Sequence, residues 1–165
     1  MTIAVVLCAL GLVTTGQRAA PPASAVAAVT HLYQDYAAEA VIDSPELSVE
    51  DLFGRPKATL ARYLDDALVT LVLADHDCSK RRQEVCNLDF SPMWDSQDPL
   101  GTTVKISAGK DPTRVLVELQ TTDRKEVRRL TYRMIKRPAG WRVHDIDYDS
   151  HESLVTMLRR TPGRN

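Results

Sequence analysis

The segment DFSPMWDSQDPLG, Asp89 to Gly101, sets three carboxylates, a glutamine and a tryptophan in one turn-prone run. Two carboxylates held across a bound sugar are what glycoside hydrolysis uses, with one of them desolvated so that its pKa rises. Acids beside turn prolines have a plainer use. Asp89, Asp95, Ser96 and Asp98 are side chains that accept hydrogen bonds from nearby backbone N–H groups. Pro92 and Pro99 stiffen the segment, while Phe90, Met93 and Trp94 would anchor it in a core. Gln97 both donates and accepts, which suits tying a loop to a sheet edge. The residue types therefore favour a structural loop over a catalytic acid cluster.

Three other groupings carry candidate chemistry. Asp75, His76 and Asp77 of DHDC, with Asp89, contain metal-ligating types, but adjacent side chains diverge and no H-x-H or H-x-x-x-H spacing supports them. No metal or cofactor is expected. HDIDYDSH, His144 to His151, holds imidazoles and carboxylates suited to proton transfer. A basic run, Arg128, Arg129, Arg133, Lys136 and Arg137, offers a surface for an acidic partner, with Trp141 nearby. Its bland reading is a solvated sheet face balanced by Glu118 and Asp145.

At 165 residues the chain suits one domain with a real core. A hydrophobic share of 44% and a charged share of 26% fit a globular protein rather than a fibrous or disordered one. Ile3 to Val13 is an apolar run of 11 residues, too short for a bilayer span of about 20 but matching the apolar centre of an export signal. No Lys or Arg precedes it. Ala23 and Ala25 form an A-x-A site, so the expectation is a signal peptide over 1–25 and one α+β domain over 26–165. Removing Arg18 with it takes the net charge from −1 to −2, which gives no reason to expect nucleic acid. The remaining cysteines, Cys78 and Cys86, read as a disulfide in an exported protein, worth roughly 2–3 kcal/mol.

The elements that must position these residues fall into two halves. SAVAAVTHLYQDYAAEAV places Val26, Val29, Leu32, Tyr33, Tyr36, Ala37 and Ala40 on one helical face. Ser48 and Asp51 are candidate caps of a short turn. PKATLARYLDDALVTLVLADHD predicts a second helix from Pro56, with Leu60, Tyr63, Leu64, Ala67, Leu68 and Leu71 in register. TTVKISAG, TRVLVELQTT and EVRRLTYRMIKR then alternate with period two, joined by short turns, and predict an antiparallel meander. On the fourth strand Trp141 and Val143 are out of phase with Ile146 and Tyr148, which predicts a bulge near His144 and Asp145. A short helix over Glu152 to Arg159 follows. Helices followed by a curved sheet of about four strands make an α+β layer arrangement, the helices covering the concave face.

This order, with D-F-x-P-x-x-x-x-Q-D (Asp89, Phe90, Pro92, Gln97, Asp98), then G-W-R-V-x-D-I-x-Y (Gly140, Trp141, Val143, Asp145, Ile146, Tyr148) and Ser153-Leu154, resembles a family of small bacterial envelope proteins of unknown function. They look like members of the cystatin-like, nuclear-transport-factor-2-like superfamily of α+β cones. The resemblance implies that fold and an envelope location. It also implies that the inner sheet face can hold a His–Asp pair, here His144 or Asp145 with Tyr63 or Tyr132 as donors. The preferred reading is a periplasmic or secreted non-catalytic binding module of inhibitor or immunity type. Its partner would be an envelope protein or small ligand, with no transmembrane segment in the mature chain. The alternative is a small-substrate enzyme or carrier using that face.

Overall fold

The computed structural model describes residues 22–42, 51–122 and 127–160. The expected export signal up to residue 21, Ser48 and the C-terminal tail lie outside those residues. Helix α1 (Ala25–Asp35) is capped by the Ser24 hydroxyl, which accepts from the Ala27 N–H at 3.1 Å. Its expected apolar face is buried through Val29, Leu32, Tyr33 and Tyr36, and the chain tightens into a 3-10 turn over Ala37–Ala40. Asp51 caps a second such turn, Leu52–Gly54, as expected.

The single helix expected from Pro56 to Asp77 is two helices, α2 (Lys57–Tyr63) and α3 (Asp66–Arg82). Leu64 and Asp65 between them are extended. The Asp65 carboxylate caps α3 by accepting from Leu68 N–H at 2.9 Å, and the Asp65 N–H donates to Val143 O at 2.9 Å. Leu60, Leu64, Leu68, Val69 and Val72 are buried, while Leu71 is half-buried and Ala67 exposed. Lys80, Arg81 and Arg82 close α3 where its dipole favours cations, and Gln83 leaves in the left-handed region at φ 55°. Cys78 and Cys86 lie at disulfide distance, with Cα atoms 6.2 Å apart.

Strands β1 (Thr102–Ala108), β2 (Arg114–Thr121), β3 (Val127–Arg137) and β4 (Gly140–Tyr148) form one antiparallel sheet in sequence order. Val115, Val117 and Leu119 of β2 and Leu130, Tyr132 and Met134 of β3 point inward, toward the helices. On β4 the pairing runs Arg133 to Asp145 and then Met134 to Val143, leaving His144 as an extra residue. That bulge was predicted by the phase fault, and it restores Val143, Ile146 and Tyr148 to one buried face. Helix α4 (Leu154–Leu158) closes the chain against β4.

Parity corrects one grouping. Arg128 shares its side of β3 with Leu130 and Tyr132, so it lies on the inner face, whereas Arg129 and Arg133 lie on the outer one. Between α1 and the sheet the interior is filled by Tyr33, Met93, Trp94 and Tyr132. The Tyr33 hydroxyl is 3.0 Å from that of Tyr132 and donates to the Met93 carbonyl. Burial drives the phenol pKa values of both tyrosines upward, so they are neutral hydrogen-bonding groups here.

Candidate functional site

The loop after the disulfide enters the core and comes out again. Pro92, Met93 and Trp94 are buried; the Pro92 carbonyl accepts from the Tyr148 hydroxyl at 2.9 Å. The Trp94 indole N–H donates to the Glu39 carboxylate at 2.7 Å. Phe90 packs edge-on against Tyr148 and His151. Ser91 N–H then closes the loop on Ser96 O at 2.9 Å, with Asp95 making the reversal in the left-handed region at φ 49°, a conformation that aspartate tolerates better than most residues. Ser96 and Asp98 tie the outgoing limb through their own backbone, and Asp98 Oδ1 accepts from Leu100 N–H. Gln97 is exposed and makes no hydrogen bond among the described residues, so it does not tie the loop to the sheet as its chemistry suggested.

Facing this limb are the first residues of β3 and the turn after β4. Asp95 to Asp98, Val127 to Arg129, and Asp149 with Ser150 enclose an open groove of about 550 Å3. Two of the loop-motif residues, Gln97 and Asp98, and two arginines of the basic run, Arg128 and Arg129, thus meet at one place. Asp89 stays exposed outside it, and Arg133 and Trp141 sit elsewhere, Trp141 half-buried at the opposite end of β4.

The arginines differ in their partners. Arg129 lies 3.4 Å from Glu118 and 3.9 Å from Asp149. Arg133 reaches Asp147 at 2.7 Å and Asp145 at 3.4 Å, and its bond to Asp147 raises its pKa further. Arg137 lies 3.7 Å from Asp65. Half-buried Arg128 instead donates to two neutral acceptors, the Asp95 carbonyl at 2.7 Å and Thr121 Oγ1 at 3.1 Å. No carboxylate pairs with it among the described residues. Behind the groove, His151 Nε2 sits 2.7 Å from Asp95 Oδ1, its ring stacked on Tyr148 at 4.3 Å.

The other sequence candidates have structural partners. Exposed His144 stands on the bulge with Nδ1 2.7 Å from Asp65. Asp145 is buried, and its Oδ1 accepts from the N–H groups of Ile146 and Val155, both at 2.9 Å, pinning α4 to β4. Tyr63 bonds Asp35 and Tyr132 bonds Tyr33, so neither joins the His144–Asp145 pair. His76 reaches the Phe53 carbonyl at 2.5 Å, and Asp75 accepts from Asn87 N–H. No group of three metal-ligating side chains occurs among the described residues, and no helix among them is long and apolar enough to cross a membrane.

Glu39 has no place in the sequence expectations, and Asp51 has one only as a cap. Glu39 is 9% exposed, and its Oε1 has no hydrogen-bond partner among the described residues. Burial pushes its pKa up to about 7, helped by the nearby Asp51 charge. Burial raises Asp51 as well. The signal was a carboxylate in helical register with the apolar positions Leu32 and Tyr36. No family model, curated protein or solved structure matches the chain.

Proposed function

We propose that this chain is an exported, non-catalytic binding module of the cystatin-like α+β class that holds its partner at the groove and the adjoining outer face of β3. The observation that carries the reading is the convergence of Gln97 and Asp98 with Arg128 and Arg129 around one open, polar cavity. An interaction surface needs exposed groups whose hydrogen-bonding capacity is not already used inside the molecule. Gln97 meets that condition; half-buried Arg128 keeps donors beyond the two it uses on Asp95 and Thr121, and Arg129 brings charge at the rim. The disulfide-distance cysteine pair fits an oxidising compartment. A four-strand antiparallel meander with helices packed on it supports the cystatin-like class.

A small-substrate enzyme working from the inner sheet face would need His144 and Asp145 to reach it. The first is exposed on the bulge and the second is spent on Ile146 and Val155. The test is co-purification of the tagged full chain from the envelope extract of its native host, beside the double variant Gln97→Ala, Arg129→Glu. One stoichiometric partner, lost with the variant, is the expected result. A partner retained undiminished by the variant would move the contact surface elsewhere, and enrichment of nothing over the control would remove the reading.

A further inference from the structure

We infer that Arg128 is an anion-recognition point and that the groove takes the terminal carboxylate of an extended peptide. This rests on the reading of the groove as a binding surface and names what it binds. Of the β3 arginines, Arg129, Arg133 and Arg137 each have a carboxylate within ion-pair distance, while Arg128 has none among the described residues. A half-buried guanidinium without a counter-ion is costly to retain, because desolvation of the charge is not offset. Two of its N–H groups are used, on the Asp95 carbonyl and Thr121 Oγ1, and a guanidinium carries five. Those two bonds fix the orientation of the fork and leave donors for a planar, bidentate acceptor.

The lining decides which anion. Asp95, Asp98 and Asp149 oppose Arg128 and Arg129 around the cavity, so the formal charge of the lining is −1. That net-negative lining disfavours any anion, but a phosphate dianion about twice as much as a carboxylate monoanion, which needs only one arginine. The acids and the hydroxyls of Ser96 and Ser150 are acceptors, and they suit a ligand that brings N–H donors beside its carboxylate. A peptide terminus has this pattern, its last amide N–H lying one carbon from the carboxylate. Gln97, with no hydrogen bond among the described residues, can donate to and accept from the preceding amide. A groove of about 550 Å3 is within the usual size range of ligand sites, and capture of a terminal carboxylate is an established recognition mode.

The test uses the oxidised full chain labelled with 15N, titrated with acetyl-Gly-Gly-Ala in acid form, with the same peptide amidated, and with inorganic phosphate at matched ionic strength. A second amidated peptide, acetyl-Gly-Glu-Ala, offers a side-chain carboxylate instead. We expect saturable amide shifts confined to 95–98, 127–129 and 149–150 with the free acid. Binding should be at least ten-fold weaker with both amidated peptides and with phosphate. Arg128→Gln should lose at least ten-fold in affinity for the acid. Because Arg128 also holds the loop through Asp95, Arg128→Lys serves if that variant does not fold; it keeps the charge, loses the fork, and should bind several-fold more weakly. Equal binding of acid and amide, stronger binding of phosphate, or undiminished binding by a folded Arg128 variant each overturns the inference. If the acid fails to bind while a co-purifying partner still depends on Gln97 and Arg129, only this inference falls. Peptide binding without any partner would instead keep this inference and remove the interaction reading.

Discussion

Two halves of one loop behave as different materials. From Pro92 to Trp94 the chain is part of the core, with Trp94 1% exposed and bonded to a buried carboxylate. From Asp95 to Asp98 it is the rim of a groove, tied mostly to itself and carrying at Gln97 an amide with no partner among the described residues. Four consecutive polar residues follow three buried ones without an intervening element. The left-handed turn at Asp95 is what separates them, since it reverses the chain just after the tryptophan. The comparison teaches that the loop's acids are not one cluster. Each acid's role follows from which side of that reversal it lies on, and from whether a backbone N–H is within reach.

The largest break in this contrast would come from Trp94→Ala. Removing a fully buried indole should destabilise by about 3–5 kcal/mol, read as a lower urea midpoint; a loss below 1 kcal/mol would mean the anchor lies elsewhere. Next is Glu39, the partner of that indole. Its folded pKa is raised from its ordinary 4.5 to about 7, so the folded state holds the proton more tightly than the unfolded chain. The stability this contributes is fully present below pH 4.5 and is lost as pH rises through about 7. Glu39→Gln should flatten that slope, matching the parent at pH 4 and exceeding it at pH 8 by roughly 2–3 kcal/mol. An unchanged slope in denaturation curves across this range would show that another group sets it. Tyr148→Phe removes only the bond to the Pro92 carbonyl and should cost about 1 kcal/mol. On the rim, Gln97→Ala should move stability by less than about 0.5 kcal/mol, and a thermal midpoint indistinguishable from the parent would sharpen the division between the halves.

The sheet was legible because β1, β2 and β3 each alternate over about seven residues, and on β4 the bulge left its mark as a change of phase between Val143 and Ile146. The break between α2 and α3 was hidden because Leu60, Leu64 and Leu68 keep a four-residue spacing through it. The signal that mattered was Asp65, a good N-cap placed inside an apparently continuous pattern. Adjacency along the chain puts Arg128 with Arg129, but the two-residue period of β3 sends them to opposite faces. The groove left no local pattern at all, since its walls come from three separate segments, 95–98, 127–129 and 149–150, brought together by the sheet and by Arg128 reaching the Asp95 carbonyl. Glu39 was readable from its register, but an acid on an apolar face looks like a helix end until its tryptophan partner is known.

The break between α2 and α3 leans on the bulge of β4. Asp65 N–H meets Val143 O, the Arg142 side chain meets the Ala61 carbonyl, and His144 meets Asp65. Each contact closes roughly eighty residues of chain, an entropic cost that must be met before the contact contributes. The hairpins of the meander close far shorter loops and have no such delay. The helical layer is therefore expected to join the strands late in folding, and this seam to open before the sheet does. The amide of Asp65 should exchange with solvent well before those of Val117 and Leu130.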